Sequence, residues 1–410
     1  MRVRESCHAA LSRGLSLRSW RGFSASSGVD SVYREDRRES PQSWLSWRFR
    51  RRDSFTMTGV KTWDVIIVGG GIIGLSLSIA LRKRGASVLV VDRSEPGREA
   101  SYAAGGMLVD CPLETPERLR ELALASARMY PEFAHELEVE SRMKVDLRDN
   151  GTILLLSNEH ERFAADLHKA DIPQLEPALA ESRLNATAVY LKERSVDPRA
   201  LTAAAVHTAK NRGVDFSSGD EVTAVHRSEG RVTGVTTVKT SFAAHKVVNC
   251  AGAWAGSIAP VPLPTRPVKG QMLCLVMPSR PLLQHVVRSP KVYLIPRSDG
   301  RLLIGATVEE AGFDKRTVPA TIQRQHQAAL DLMPRLRDAK ILEDWAGLRP
   351  GTPDGLPILG ETEVPGYYVA TGHFRDGILL APVTAQIMAQ LISGETPAED
   401  LSAFLPERFR

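Results

Sequence analysis

Four polar side chains stand in surroundings that are otherwise apolar or glycine-rich. They are Tyr293 in YLIPRSDGRLLIGAT, Arg349 in GLRPGTPDGLPILG, and His373 and Arg375 in GHFRDGILLAP. A planar guanidinium can hold a carboxylate through two parallel hydrogen bonds, which fixes orientation as well as charge. A tyrosine hydroxyl adds a further donor. Taken singly, each arginine reads first as half of a structural ion pair, because arginine is seldom buried without a partner. His373 alone reads first as a hydrogen-bonded turn or core residue. No acid–base pair stands out. Cys7, Cys111, Cys250 and Cys274 form no CxxC pair and have no histidine at ligand spacing, so buried reduced thiols and no metal site are expected.

A second kind of chemistry is written far upstream, in DVIIVGGGIIGLSLSIALRKRGASVLVVD, residues 64–92. A short apolar run meets Gly69, Gly71 and Gly74, then a helix-period segment, Gly85, and a second apolar run closed by Asp92. The first glycine permits a tight turn, the second lets the backbone approach a pyrophosphate, and the third lets helix and strand pack closely. The helix N-terminus offers free amides and partial positive charge to phosphates, and Asp92 can accept from ribose hydroxyls. The motif alone says only "dinucleotide". Residues 94–108, ending in AAGGML, are too apolar for a surface loop and read as a buried contact to a flat ring. The strand running into Cys250-Ala251-Gly252 offers another close backbone approach.

The elements that must place these groups follow from periodicity and punctuation. Strands are expected at 65–68, 88–91, 152–156, 188–191, 214–216, 222–226, 232–235, 246–249, 266–276, 291–296, 301–305 and 367–370. Helices are expected at 114–141, divided by Pro131, and at 159–169, 198–210, 321–333 and 378–392. Asp197 caps the third of these with Pro198 at its first position, and Ser298-Asp299-Gly300 makes a hairpin turn. The stretch 351–360 reads as a loop. The implied fold is α/β: a discontinuous Rossmann-like, three-layer nucleotide domain (61–112, 195–262 and 340–410) with an antiparallel-sheet domain (113–194 and 263–339) inserted.

The net charge of +5 belongs to the leader. Residues 1–56 hold twelve Arg, no Lys and six acids, and the remainder is close to neutral. No nucleic-acid surface is inferred, and no stretch other than the nucleotide fingerprint approaches a membrane span. Residues 1–60 are expected to be a disordered leader. It reads either as a presequence, which would make the protein mitochondrial, or as sequence upstream of a start at Met57, which would leave it cytoplasmic. Glu35, Asp36 and Glu39 favour the second reading.

Together, VIIVGGGIIG, AAGGML, YLIPRSDGRLLIGAT, GLRPGTPDGLPILG and GHFRDGILLAP resemble the D-amino-acid-oxidase-like FAD-dependent oxidoreductases over residues 63–391. The resemblance implies non-covalent FAD, since no cysteine follows Cys274 to tether it. It implies FAD contacts at Ile72, Ile73, Asp92, Arg93, Ala100, Ser101, Gly105, Gly106, Met107 and Val222. It places His373, Phe374, Arg375, Asp376, Gly377, Ile378 and Leu379 around the flavin. Tyr293, Arg349 and Arg375 would bind the substrate carboxylate, with Val308 near the pocket. The activity implied is oxidative deamination of glycine, and of sarcosine or small D-amino acids, by hydride transfer. The products would be an imine and then glyoxylate, ammonia and hydrogen peroxide, in the thiazole part of thiamine biosynthesis. Dioxygen or another carrier would take the electrons, and a homo-oligomer is implied. The alternatives are a sarcosine oxidase, a D-amino-acid dehydrogenase, or a flavin-binding assembly factor without catalysis.

Overall fold

Strand Thr62–Val68 is apolar on both faces because both are covered: Val65 and Ile67 enter one core, Ile66 and Val68 another. The computed structural model describes residues 61–111, 114–156, 171–179, 187–276 and 283–410. The expected leader and the expected helix at 159–169 lie outside the described residues.

Thr62–Val68 is central in a sheet whose main path runs Ile358–Glu361, Tyr367–Thr371, Ser241–Asn249, Thr62–Val68, Val88–Asp92, Asp215–Ser218. The last five are parallel. On one face lie helices Ile72–Lys83, Arg120–Ser141, Pro198–Asn211 and Gly377–Ile392. On the other, the strands Val222–Ser228 and Arg231–Thr237 contribute Val222, Val232 and Val235 to the core beneath. Three layers result. Asp197 caps its helix as expected, accepting from Arg199 N at 2.9 Å and Ala200 N at 3.3 Å.

A second, seven-stranded sheet runs Lys340–Gly351, Arg266–Val276, Arg301–Gly305, Tyr293–Pro296, Val286–Arg288, Thr152–Leu155, Ala188–Leu191. It is antiparallel except where Val286–Arg288 lies parallel to Thr152–Leu155. Lys340–Gly351, expected on the nucleotide side, is instead the outer strand here, paired along Arg266–Val276. The expected loop at 351–360 also holds the start of a strand, Ile358–Glu361.

Pro131 does not divide its helix; Arg120–Ser141 is continuous. A proline leaves the carbonyl four residues earlier without its helical donor. Here that carbonyl, on Ala127, accepts from Arg194 Nη1 at 3.3 Å. The same solution recurs at Pro382 inside Gly377–Ile392: the freed carbonyl of Ile378 accepts from Tyr130 Oη at 2.8 Å. Ser126 Oγ donates to the next carbonyl, Leu379, at 2.6 Å. The long helix therefore holds the first turn of the C-terminal one in place.

Candidate active site

A cavity of about 410 Å³ runs between the two sheets. Its wall is built from the turn after the first strand, the 99–107 segment, residues 250–254, and the 371–378 turn. Strands of the second sheet close the other side.

At one end the chain turns at Gly69, with φ +105°. A Cβ there would stand 2.5 Å from the Cys250 carbonyl oxygen, and one at Gly74 would stand 2.1 Å from the Gly69 carbonyl oxygen. Both glycines are thus required by close packing. Helix Ile72–Lys83 begins at Gly71 with no side-chain cap; Ile72 N alone donates to Ser101 Oγ, at 3.0 Å. The remaining first-turn amides have no partner within the helix. Asp92 is buried and accepts from Gly70 N at 2.6 Å and Ser94 N at 2.8 Å. Ser94 Oγ also donates to Oδ1, at 3.1 Å, so the spare acceptor capacity is on Oδ2. Arg93 lies over the Trp254 ring, 4.4 Å from its centroid, and both line the cavity with Val222.

At the other end the second sheet supplies Tyr293 and Arg349. Two strand glycines make room for them. A Cβ on Gly270 would lie 2.3 Å from Arg349 Nη1, and one on Gly305 would lie 2.8 Å from the Tyr293 ring and hydroxyl. Arg349 Nη1 donates to the Thr307 carbonyl at 3.0 Å, leaving guanidinium donors for a ligand. Burial raises the Tyr293 phenol pKa, opposed by Arg349 and Arg375, so the hydroxyl stays protonated and able to donate.

The 371–378 turn closes the cavity. Phe374 sits at φ +47° and its N–H donates to the Pro350 carbonyl at 3.0 Å, tying the turn to the strand that carries Arg349. His373 is 3% exposed and within 3.1 Å of Thr384 Oγ1; burial pushes its pKa down to about 3, so it is neutral. Burial pushes the Asp376 carboxyl up to about 6, opposed by Arg375 and reinforced by Glu114.

Of the residues singled out in the sequence, the cavity wall includes Gly69, Gly71, Ile72, Ile73, Asp92, Arg93, Ala100, Ser101, Gly105, Gly106, Met107, Val222, Tyr293, Arg349 and 373–378. Gly74 and Leu379 stand one step behind it, in helix packing. Val308 is not in the wall: the chain leaves the sheet after Gly305 and its side chain is 64% exposed. Sequence reasoning missed Arg288, which is 4% exposed, lines the cavity and pairs with Glu114 at 2.8 Å and Glu193 at 3.0 Å. It also missed Gly270, although a glycine inside a strand signals close approach by another group.

The fit to FAD is tested by this wall. Glycines whose Cβ would collide, a helix start with free amides, a buried acid with spare lone pairs and a long apolar gap suit a dinucleotide with a flat ring.

Comparison with known proteins agrees. The model of the family "FAD dependent oxidoreductase" matches residues 64–391. The chain is 36% identical over 364 residues to the bifunctional protein ThiO/ThiG of Trichormus variabilis, covering 85% of this chain and 55% of that protein. It thus spans about half the length of that relative. It is 32% identical to the glycine oxidase of Pseudomonas putida, covering 84% of this chain and 98% of that one. The crystal structure of glycine oxidase from Geobacillus kaustophilus superposes with a TM-score of 0.79 at 34% identity, covering 84% of this chain and 98% of that chain. Cavity, motifs and relatives lead to one assignment: the chain belongs to the FAD dependent oxidoreductase family.

Proposed function

We propose that this chain oxidises glycine to the imine, which hydrolyses to glyoxylate and ammonia, with dioxygen reduced to hydrogen peroxide. The observation that carries this reading is the pairing of Arg349 with Tyr293 at one end of the cavity, each given room by a strand glycine. Bound FAD would supply the two-electron acceptor for the substrate's α-carbon–hydrogen bond. Arg349 would take the carboxylate in a two-point grip, Tyr293 would add a neutral donor, and Arg375 would complete the positive end of the pocket. The two cations disfavour a neighbouring ammonium and so help the amine reach its reactive neutral form. Neutral His373 and the first turn of Gly377–Ile392 would shape the ring's other edge, and Gly69, Gly71 and Asp92 would hold the adenosine diphosphate half.

On this reading, 61–111 with 195–262 and 352–410 hold the cofactor, while the seven-stranded sheet presents the substrate. The names of the relatives support a place in thiamine biosynthesis. A homo-oligomer in the cytoplasm belongs to the same proposal. The test is peroxide formation by the purified protein with glycine, sarcosine, D-alanine and L-alanine. Glycine is expected to give the highest kcat/KM; no peroxide with glycine, but turnover through an artificial acceptor, would replace the oxidase by a dehydrogenase.

A further inference from the structure

Arg297 is the largest fully buried side chain of the described residues, at 0% exposure, and it does not line the cavity. It follows strand Tyr293–Pro296, and alternation along that strand puts residues 293, 295 and 297 on one face. All three meet the same short segment. A Cβ on Gly105 would lie 2.9 Å from Ile295 Cδ1 and 3.6 Å from Tyr293 Oη, and one on Gly106 would lie 3.2 Å from Arg297 Nη2. Arg297 Nη2 donates to the Gly105 carbonyl. Gly105, Gly106 and Met107 face the cavity on their other side.

Burial pushes the Arg297 guanidinium pKa down to about 10, yet it stays a cation at neutral pH. The acids that favour its charge, Asp197 and Asp146, are engaged elsewhere: Asp197 Oδ2 with Arg301 at 2.6 Å, Asp146 with Ser298. Arg301 and Arg148 oppose it. Nε and Nη1 of Arg297 have no hydrogen-bond partner among the described residues. A buried cation with so few hydrogen bonds is costly, and the bond it does make fixes one wall carbonyl.

We infer that Arg297 is a positioning residue: by gripping the Gly105 carbonyl it sets the wall against which FAD lies and keeps that wall in register with Tyr293 on the same strand. The inference rests on FAD in this cavity and not on the choice of glycine, so a failure of the substrate reading leaves it testable.

The experiment reconstitutes apoprotein with FAD and measures its Kd by flavin fluorescence, with the visible flavin spectrum of each complex, for the parent, Arg297→Met, Arg297→Lys and Arg301→Ala. Arg297→Met keeps the bulk and removes the donors. Its Kd for FAD is expected to rise at least tenfold, with an altered visible band. Arg297→Lys, which keeps one shorter donor, is expected to fall between the two. Arg301→Ala breaks the Asp197 pair in the same hairpin and is expected to lower thermal stability while keeping Kd within twofold of the parent. A parent-like Kd and spectrum in Arg297→Met would overturn the inference. So would an equal loss of FAD affinity in Arg301→Ala, which would reduce Arg297 to general support of the hairpin. If Arg297→Met does not fold, Arg297→Lys decides: a raised Kd supports the role, and a parent-like Kd overturns it.

Discussion

At the scale of single residues, the site depends on where charge is kept and where it is removed. His373 is buried neutral, with its pKa lowered to about 3, while Thr384 shares its hydrogen bond. The unfolded chain binds a proton below about pH 6.5 and the folded one does not until about pH 3. Stability from this group is therefore complete above pH 6.5 and is lost as pH falls toward 3, at a slope of about 1.4 kcal/mol per pH unit. Urea titrations across that window should show the slope reduced by that amount in His373→Gln; an unchanged slope would mean that His373 does not titrate as described. Arg349 was legible in the sequence as an arginine in a glycine-rich setting, but its alternative, an ion pair, was removed only by the structure. Its partners are the Thr307 carbonyl and the Tyr293 hydroxyl, not a carboxylate. Arg288 went unnoticed for the opposite reason. VVRSP gives no sign that the chain buries an arginine against Glu114 and Glu193, residues far away in sequence.

At the scale of elements, glycines inside strands decide whether functional side chains have room. Gly270 pairs with Gly347 across the strands, and Arg349 leans over it. The atoms a Cβ at Gly270 would meet first belong to the flexible end of Arg349, so Gly270→Ala should fold but displace the guanidinium. The expected result is a rise of about tenfold in KM for glycine, about 1.4 kcal/mol, with Tm nearly unchanged; an unaltered KM would show that Arg349 is not set by this contact. The paired prolines teach the complementary lesson. Pro131 reads as a helix break from sequence, because the donor that replaces its lost bond, Arg194, is a tertiary partner. Strand–glycine–helix–strand at 62–92 was legible because every signal is local. Residues 340–351 were grouped with the nucleotide domain and not read as a strand, because pairing with Arg266–Val276 leaves no local mark.

At the scale of the whole molecule, two sheets meet across one cavity, and a ligand that fills it should bind the folded state alone. FAD at a hundredfold excess over its Kd is expected to stabilise the apoprotein by about 2.7 kcal/mol. Thermal unfolding with and without FAD reads this directly, and equal Tm values would mean the cavity is not its site. The cofactor should also leave intact on acid precipitation. Cys250 is the thiol in the wall, burial holds its pKa well above the ordinary range, and the thiolate is the nucleophile a tether would need. Flavin retained on the washed precipitate would contradict this. The central claim, that Arg349 and Tyr293 present glycine to the flavin, is tested most directly by anaerobic addition of glycine to FAD-saturated parent and Arg349→Ala. The parent's flavin absorbance should bleach and return when air is admitted. Arg349→Ala, with equal FAD content, should bleach roughly 100-fold more slowly at the same glycine concentration. Equal bleaching in both proteins, or none in the parent, would contradict the account.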